Sequence, residues 1–149
     1  MANLIFPKFK QAMLSPGVDL VNNYIGSGTG AAPTAVTLKA IMVKAPYAYS
    51  AAHEFLSDVG ANTVGTAQTL ASKTVTNGVL NAASVTFAGV AAGNTANALV
   101  LFLDTGTPST SRLVAFIDTV SGGSAVSVVT NGGDVLINWD TGAAKIFAV

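Results

Sequence analysis

Apolar residues along this chain fall in short runs, broken by turn residues at intervals of about ten positions, a spacing typical of all-β proteins. Residues 36–43 (Val-Thr-Leu-Lys-Ala-Ile-Met-Val) predict the first well-defined strand. Residues 84–88 alternate cleanly and place Val85 and Phe87 on one face. Residues 97–103 and 113–117 are apolar on both faces, as central strands covered from each side would be. Residues 134–140 alternate again, with Val135, Ile137 and Trp139 directed inward, and residues 145–149 predict a last strand. Between the runs lie Asn77-Gly78, suited to a type I′ hairpin turn, Asn131-Gly132-Gly133, and Asp-Thr-Gly-Thr-Pro at 104–108. Helix is expected over residues 7–14, with Pro7 in the first turn and Ser15-Pro16 as the stop, and one further helical turn over residues 49–56.

The composition points the same way. Glu54 is the only glutamate, Gln11 and Gln68 are the only glutamines, and valine, threonine and glycine recur throughout. The fold class expected is all-β: an antiparallel β-sandwich or jelly-roll-like barrel with an N-terminal arm. Residues 26–33 (Gly-Ser-Gly-Thr-Gly-Ala-Ala-Pro) read as a linker. That divides the 149 residues into an arm and Gly/Ala-rich linker, 1–35, and a single β domain, 36–149.

Charge narrows the partners. Seven Lys/Arg balance seven Asp/Glu, and only 9% of residues are charged, where globular chains average about 25%. Neither a nucleic-acid partner nor a polybasic contact with a membrane surface is expected. Mean hydropathy is +0.55, yet the longest apolar run, residues 98–103, is far short of the roughly 20 residues that span a bilayer. The N-terminal lysines follow a three-residue apolar run, so no signal peptide is expected. Without cysteine the chain has no disulfide, no thiolate metal site and no thiol nucleophile.

Motifs that suggest chemistry have simpler readings. Asp-Thr-Gly occurs at 104–106 and at 140–142, each after an apolar strand, in the manner of an aspartic protease loop. The two are too close in sequence for each to carry a lobe of its own, and Asp118-Thr119 ends a third strand, so the aspartates are expected to cap turns. Gly26-Ser-Gly28-Thr-Gly-Ala31 fits a dinucleotide fingerprint, but Pro33 and a strand follow where a helix is needed. His53-Glu54 lacks the second histidine of a zincin, because position 57 is serine. Ser121 and Ser124 lie among glycines without a nucleophile-elbow motif. Asp134, Asn138 and Asp140 share the polar face of one strand without the acidic density of a calcium loop. No catalytic residue, metal or cofactor is expected.

Four blocks carry a resemblance. They are Tyr-Ser-Ala-Ala-His-Glu-Phe-Leu-Ser-Asp-Val at 49–59; Lys-Thr-Val-Thr-Asn-Gly-Val at 73–79 with Ala-Ser-Val-Thr-Phe at 83–87; Asp-Thr-Gly-Thr-Pro-Ser-Thr-Ser-Arg-Leu-Val-Ala-Phe-Ile-Asp at 104–118; and residues 131–147, from Asn-Gly-Gly-Asp to Lys-Ile-Phe. Together they resemble small structural proteins of tailed-bacteriophage virions, of the capsid cement or decoration type. The resemblance implies a sandwich or jelly roll without catalysis, made in the host cytoplasm and sited on the capsid surface. Its implied partners are the major capsid protein and further copies of itself, as dimer or trimer. A tail or tail-fibre component is the alternative. The arm residues Leu4, Ile5, Phe6, Phe9 and Met13 are the candidate partner contacts, the other reading being that the arm lies on its own domain.

Overall fold

The computed structural model describes residues 3–14, 18–20, 24–25, 34–143 and 145–148. The Gly/Ala-rich linker at 26–33 lies outside them. The chain is all-β, with a single α-helix among the described residues. Fifteen short strands form five antiparallel sheets among the described residues.

The largest sheet has five strands. At its centre is β11 (Ala98–Asp104), flanked by β5 (Thr37–Val43) and β12 (Arg112–Ile117), with β6 (Thr63–Thr69) and β1 (Leu4–Ile5) at the edges. Leu101 faces Ala40 on one side and Ala115 on the other, and Phe102 faces Lys39 and Leu113. Both faces of β11 are covered, so Ala98 to Leu103 are all buried. This accounts for a run that is apolar without alternation. Phe102, Leu101, Leu103, Leu113, Leu38 and Met42 make the centre of the core.

Two different segments close the outer edge of β12. Leu4 pairs with Phe116 and Ile5 with Ala115, and the Phe6 N–H donates to the Val114 carbonyl at 3.1 Å. The Asn3 side chain accepts from the N–H groups of Asp118 and Thr119 and donates to the Thr119 carbonyl. Further along, the Leu113 N–H donates to the Glu54 carbonyl, and Phe55 bridges Arg112. An edge strand left bare would template pairing with other chains. On the opposite edge β6 carries a bulge: from Ala40 to Met42 on β5, the partners run from Gln68 to Val64. Gly65 lies in the bulge at φ 74°, a left-handed conformation that a side chain disfavours.

The helix α1 (Pro7–Leu14) has the expected bounds, and it ends just before Ser15-Pro16. Its Phe9, with Phe6 before it, is fully buried, and the Phe6 ring lies 5.2 Å from that of Tyr49. Residues 3–14 are thus anchored to the core through Phe6 and Phe9.

The smaller sheets surround this frame. β7 (Thr74–Thr76), β8 (Val79–Asn81) and β15 (Phe147–Ala148) form one, in the order β15-β8-β7. β9 (Val85–Phe87) pairs with β14 (Val135–Ile137), and β10 (Thr95–Ala96) with β13 (Val128–Val129). β2 (Val18–Asp19), β3 (Tyr24–Ile25) and β4 (Thr34–Ala35) make a meander between the helix and β5. The turn joining β7 and β8 holds Asn77 at φ 50° and Gly78 at φ 78°, both positive as a type I′ turn requires. Val85 and Phe87 are buried with Thr86 exposed between them, as the alternation predicts.

Two expected elements differ. Residues 49–55 are not helical; a short 3-10 helix instead begins at Leu56 and occupies Leu56–Asp58. The cause is competition for the backbone: Glu54 and Phe55 serve the edge of β12, and the Asp58 carboxylate accepts both their N–H groups, at 2.8 and 2.9 Å. The last strand shortens to Phe147–Ala148, preceded by Lys145 at φ 49°.

Candidate interaction surface

Most of the polar residues singled out above make local hydrogen bonds; Asp118, expected to cap a turn through a backbone N–H, instead accepts from the Thr119 hydroxyl at 2.9 Å. Asp104 Oδ1 accepts from the Gly106 N–H at 2.9 Å and from the Ser111 hydroxyl, and Oδ2 pairs with the Lys39 ammonium at 2.5 Å. The Lys39 hydrogen bond, with smaller help from Gly106 and Ser111, holds the Asp104 carboxyl below the usual carboxylate range. Asp140 Oδ1 accepts from the Gly142 N–H at 3.1 Å and from the Ser121 hydroxyl. Each carboxylate closes its own Asp-Thr-Gly turn.

The Asp58 carboxyl is lowered in the same way, chiefly by the Phe55 and Glu54 N–H groups. Glu54 forms an ion pair with Arg112 at 2.7 Å, and the Arg112 guanidinium lies over the Phe55 ring. The His53 ring stacks on Tyr47, with Nδ1 3.3 Å from the phenol oxygen. Burial, aided by the charge of Asp58, pushes the Tyr47 phenol up to about 12. Asp134 accepts from the Gly89 N–H, and Asn138 from the Ser84 hydroxyl, so the polar face of β14 ties that strand to neighbouring loops. Among the described residues no three His, Asp or Glu side chains gather as metal ligands. The Gly26–Ala31 fingerprint is outside the described residues.

Of the five arm residues, Phe6 and Phe9 have no exposed surface. They fill the chain's own core because the Leu4–Ile5 pairing with β12 and the first turn of α1 drive both rings beneath the sheet. Met13 is partly buried against the same core, and Leu4 and Ile5 are half-buried. Leu14, at the end of the helix, is 93% exposed.

A partly apolar groove lies beside that arm. It has a volume of about 1150 Å³, with Leu99 of β11 and Ile117 of β12 among its lining residues. Leu4 and Ile5 line it from β1, Val128 from β13, Leu136 and Ile137 from β14, and Phe147 from β15. Each of these four strands ends its sheet, so one side of each is without a strand neighbour among the described residues. Lys10, Asp140 and Lys145 also line the groove. Two of its aliphatic side chains remain largely in solvent, Leu136 at 58% exposed and Val120 at 49%, and Val129, next to Val128, is 73% exposed. A partly apolar cleft lined by four terminal strands, with exposed aliphatic groups in it, has the character of a contact surface for another protein.

Sequence reasoning reached β14 but missed the groove. The one available signal was Leu136, an apolar residue on the polar side of an alternating strand. Val128–Val129 is too short to stand out from its Ser- and Gly-rich surroundings. Among the described residues no helix is long and apolar enough to cross a membrane. No protein-family model matches the chain, and no curated protein sequence matches it.

Proposed function

We propose that this chain is a non-enzymatic structural protein of a bacteriophage virion, a cement or decoration protein that binds the outside of the capsid lattice. The observation that carries the reading is the groove lined by residues of β1, β13, β14 and β15, each a terminal strand of its sheet, with Leu136 and Val120 exposed in it. Such a surface suits an extended segment of the major capsid protein, which would add backbone hydrogen bonds to a strand edge and place apolar side chains in the cleft. Self-association as a dimer or trimer would repeat the contact around a local symmetry axis, so that avidity exceeds the affinity of one site. The low charge and the resemblance of residues 36–149 to virion proteins support the same reading.

The test is to separate tail-less heads from free tails and count copies of the chain in each. Hundreds of copies on heads, with Leu136→Lys failing to bind heads that lack the protein, is the expected result. Recovery with tails would replace this reading by a tail or tail-fibre role. Absence from both would overturn a virion role altogether.

A further inference from the structure

We propose that Asn77 is a site of spontaneous deamidation and that Asn131, in the same Asn-Gly dipeptide, is protected by the fold. In this reaction the backbone nitrogen of the following residue attacks the side-chain carbonyl carbon of asparagine. The new C–N bond closes a succinimide, and the side-chain amide leaves as ammonia. Water then opens the ring at either carbonyl, giving aspartate or isoaspartate. The net change is the consumption of one water and the release of one ammonia. Glycine as the second residue leaves the attacking nitrogen unobstructed by a side chain, and both sequences provide it.

The two sites differ in what holds the reacting atoms. Asn77 is exposed, and among the described residues neither its amide nor the Gly78 N–H has a hydrogen-bond partner. Its turn joins strands of three residues each, and Thr74, Val75 and Thr76 of β7 are all exposed at the edge of their sheet. Opening so small a hairpin to the geometry of ring closure disturbs little else. At the other site the nucleophile itself is engaged: the Gly132 N–H donates to the Val90 carbonyl at 3.0 Å. The electrophile is held as well, because Asn131 Oδ1 accepts from the Gly133 N–H at 3.0 Å. The next turn of chain is fastened by the Val90 N–H, which donates to the Gly133 carbonyl at 2.9 Å.

Each hydrogen bond that must break before ring closure slows it by about fivefold, so the Asn131 reaction is expected to trail by at least about tenfold. The product matters for a chain whose formal net charge is zero. One conversion at Asn77 leaves a net negative charge on the copy. Isoaspartate also adds a backbone methylene to a two-residue turn, which then no longer holds Thr76 opposite Val79.

The purified full-length chain would be aged in mildly alkaline buffer, native and in denaturant, and digested with trypsin. Cleavage after Lys73, Arg112 and Lys145 puts the two asparagines on separate peptides. Mass spectrometry then follows both rates, and fragmentation assigns the position. Faster conversion at Asn77 in the native chain, with the rates converging in denaturant, is the result expected. Asn77→Gln should remove the early acidic species seen on isoelectric focusing. Conversion at Asn131 as fast as at Asn77 in the folded protein would overturn the proposal. So would a native Asn77 that stays intact while the denatured chain reacts.

Discussion

The centre of the large sheet and the strands around the groove are built from similar residues and put to opposite use. β11 has seven residues, a paired neighbour on each side and cover on both faces. β14 has three residues and one neighbour, and its middle side chain is in solvent. Apolar side chains in the first stabilise the fold, because they leave water and meet other atoms. Leu136 and Val129 in the second gain little of either. An aliphatic group kept where folding does not need it is free to meet a partner.

The sharpest way to break this contrast is to truncate both regions. Phe102→Ala should cost about 3–5 kcal/mol of stability in urea unfolding, because Phe102 is buried within the sheet. Phe9→Ala should fall in the same range of about 3–5 kcal/mol, which would place the arm with the sheet and not with the fringe. A loss under about 1 kcal/mol there would mean that the helix is only loosely seated. Gly65→Ala should cost about 1–2 kcal/mol, since φ 74° disfavours a side chain, while the new Cβ would make only ordinary contact with Val90, at 3.5 Å.

A smaller effect concerns acid. Asp104 is held below its ordinary 3.8 by the Lys39 hydrogen bond. The pairing therefore contributes fully above that ordinary value, and its contribution is lost as pH falls through the lower, folded value. Asp104→Asn should make the acid limb of a stability–pH curve shallower by about 0.2–1 kcal/mol, the scale of a partly exposed pair. An unchanged limb would show that neither the Lys39 pairing nor the turn bonds of this carboxylate contribute measurably to stability. Least of all should Leu136→Lys change stability, within about 0.5 kcal/mol. A large loss there would make β14 part of the structural frame and remove the contrast.

How much could be read beforehand follows the same division. Strands buried on both faces declare themselves as unbroken apolar runs, as residues 98–103 and 113–117 do. The helix was readable because Pro7 and Ser15-Pro16 mark its two ends. β6 was not, because Thr-Val-Gly-Thr-Ala-Gln-Thr at a bulged edge buries only Val64 fully. Residues 49–56 misled for another reason. Their conformation is set by β12, which needs a neighbour for its outer edge, and nothing local to 49–56 carries that demand. The capping role of Asp104 and Asp140 was visible in the Asp-Thr-Gly turns themselves. The groove was not, since it is assembled from four strand edges that are distant in sequence.

The closure of β12 by the start of the chain has a consequence in time. Asn3 and Thr119 are 116 residues apart, yet they share hydrogen bonds at one sheet edge. During synthesis the first segment leaves the ribosome long before its docking strand exists. Until residues 112–117 emerge, the segment that carries Phe6 and Phe9 has no strand to dock on. Final locking of the sheet therefore waits for residues 112–117, and a contact that bridges 116 residues makes it slow.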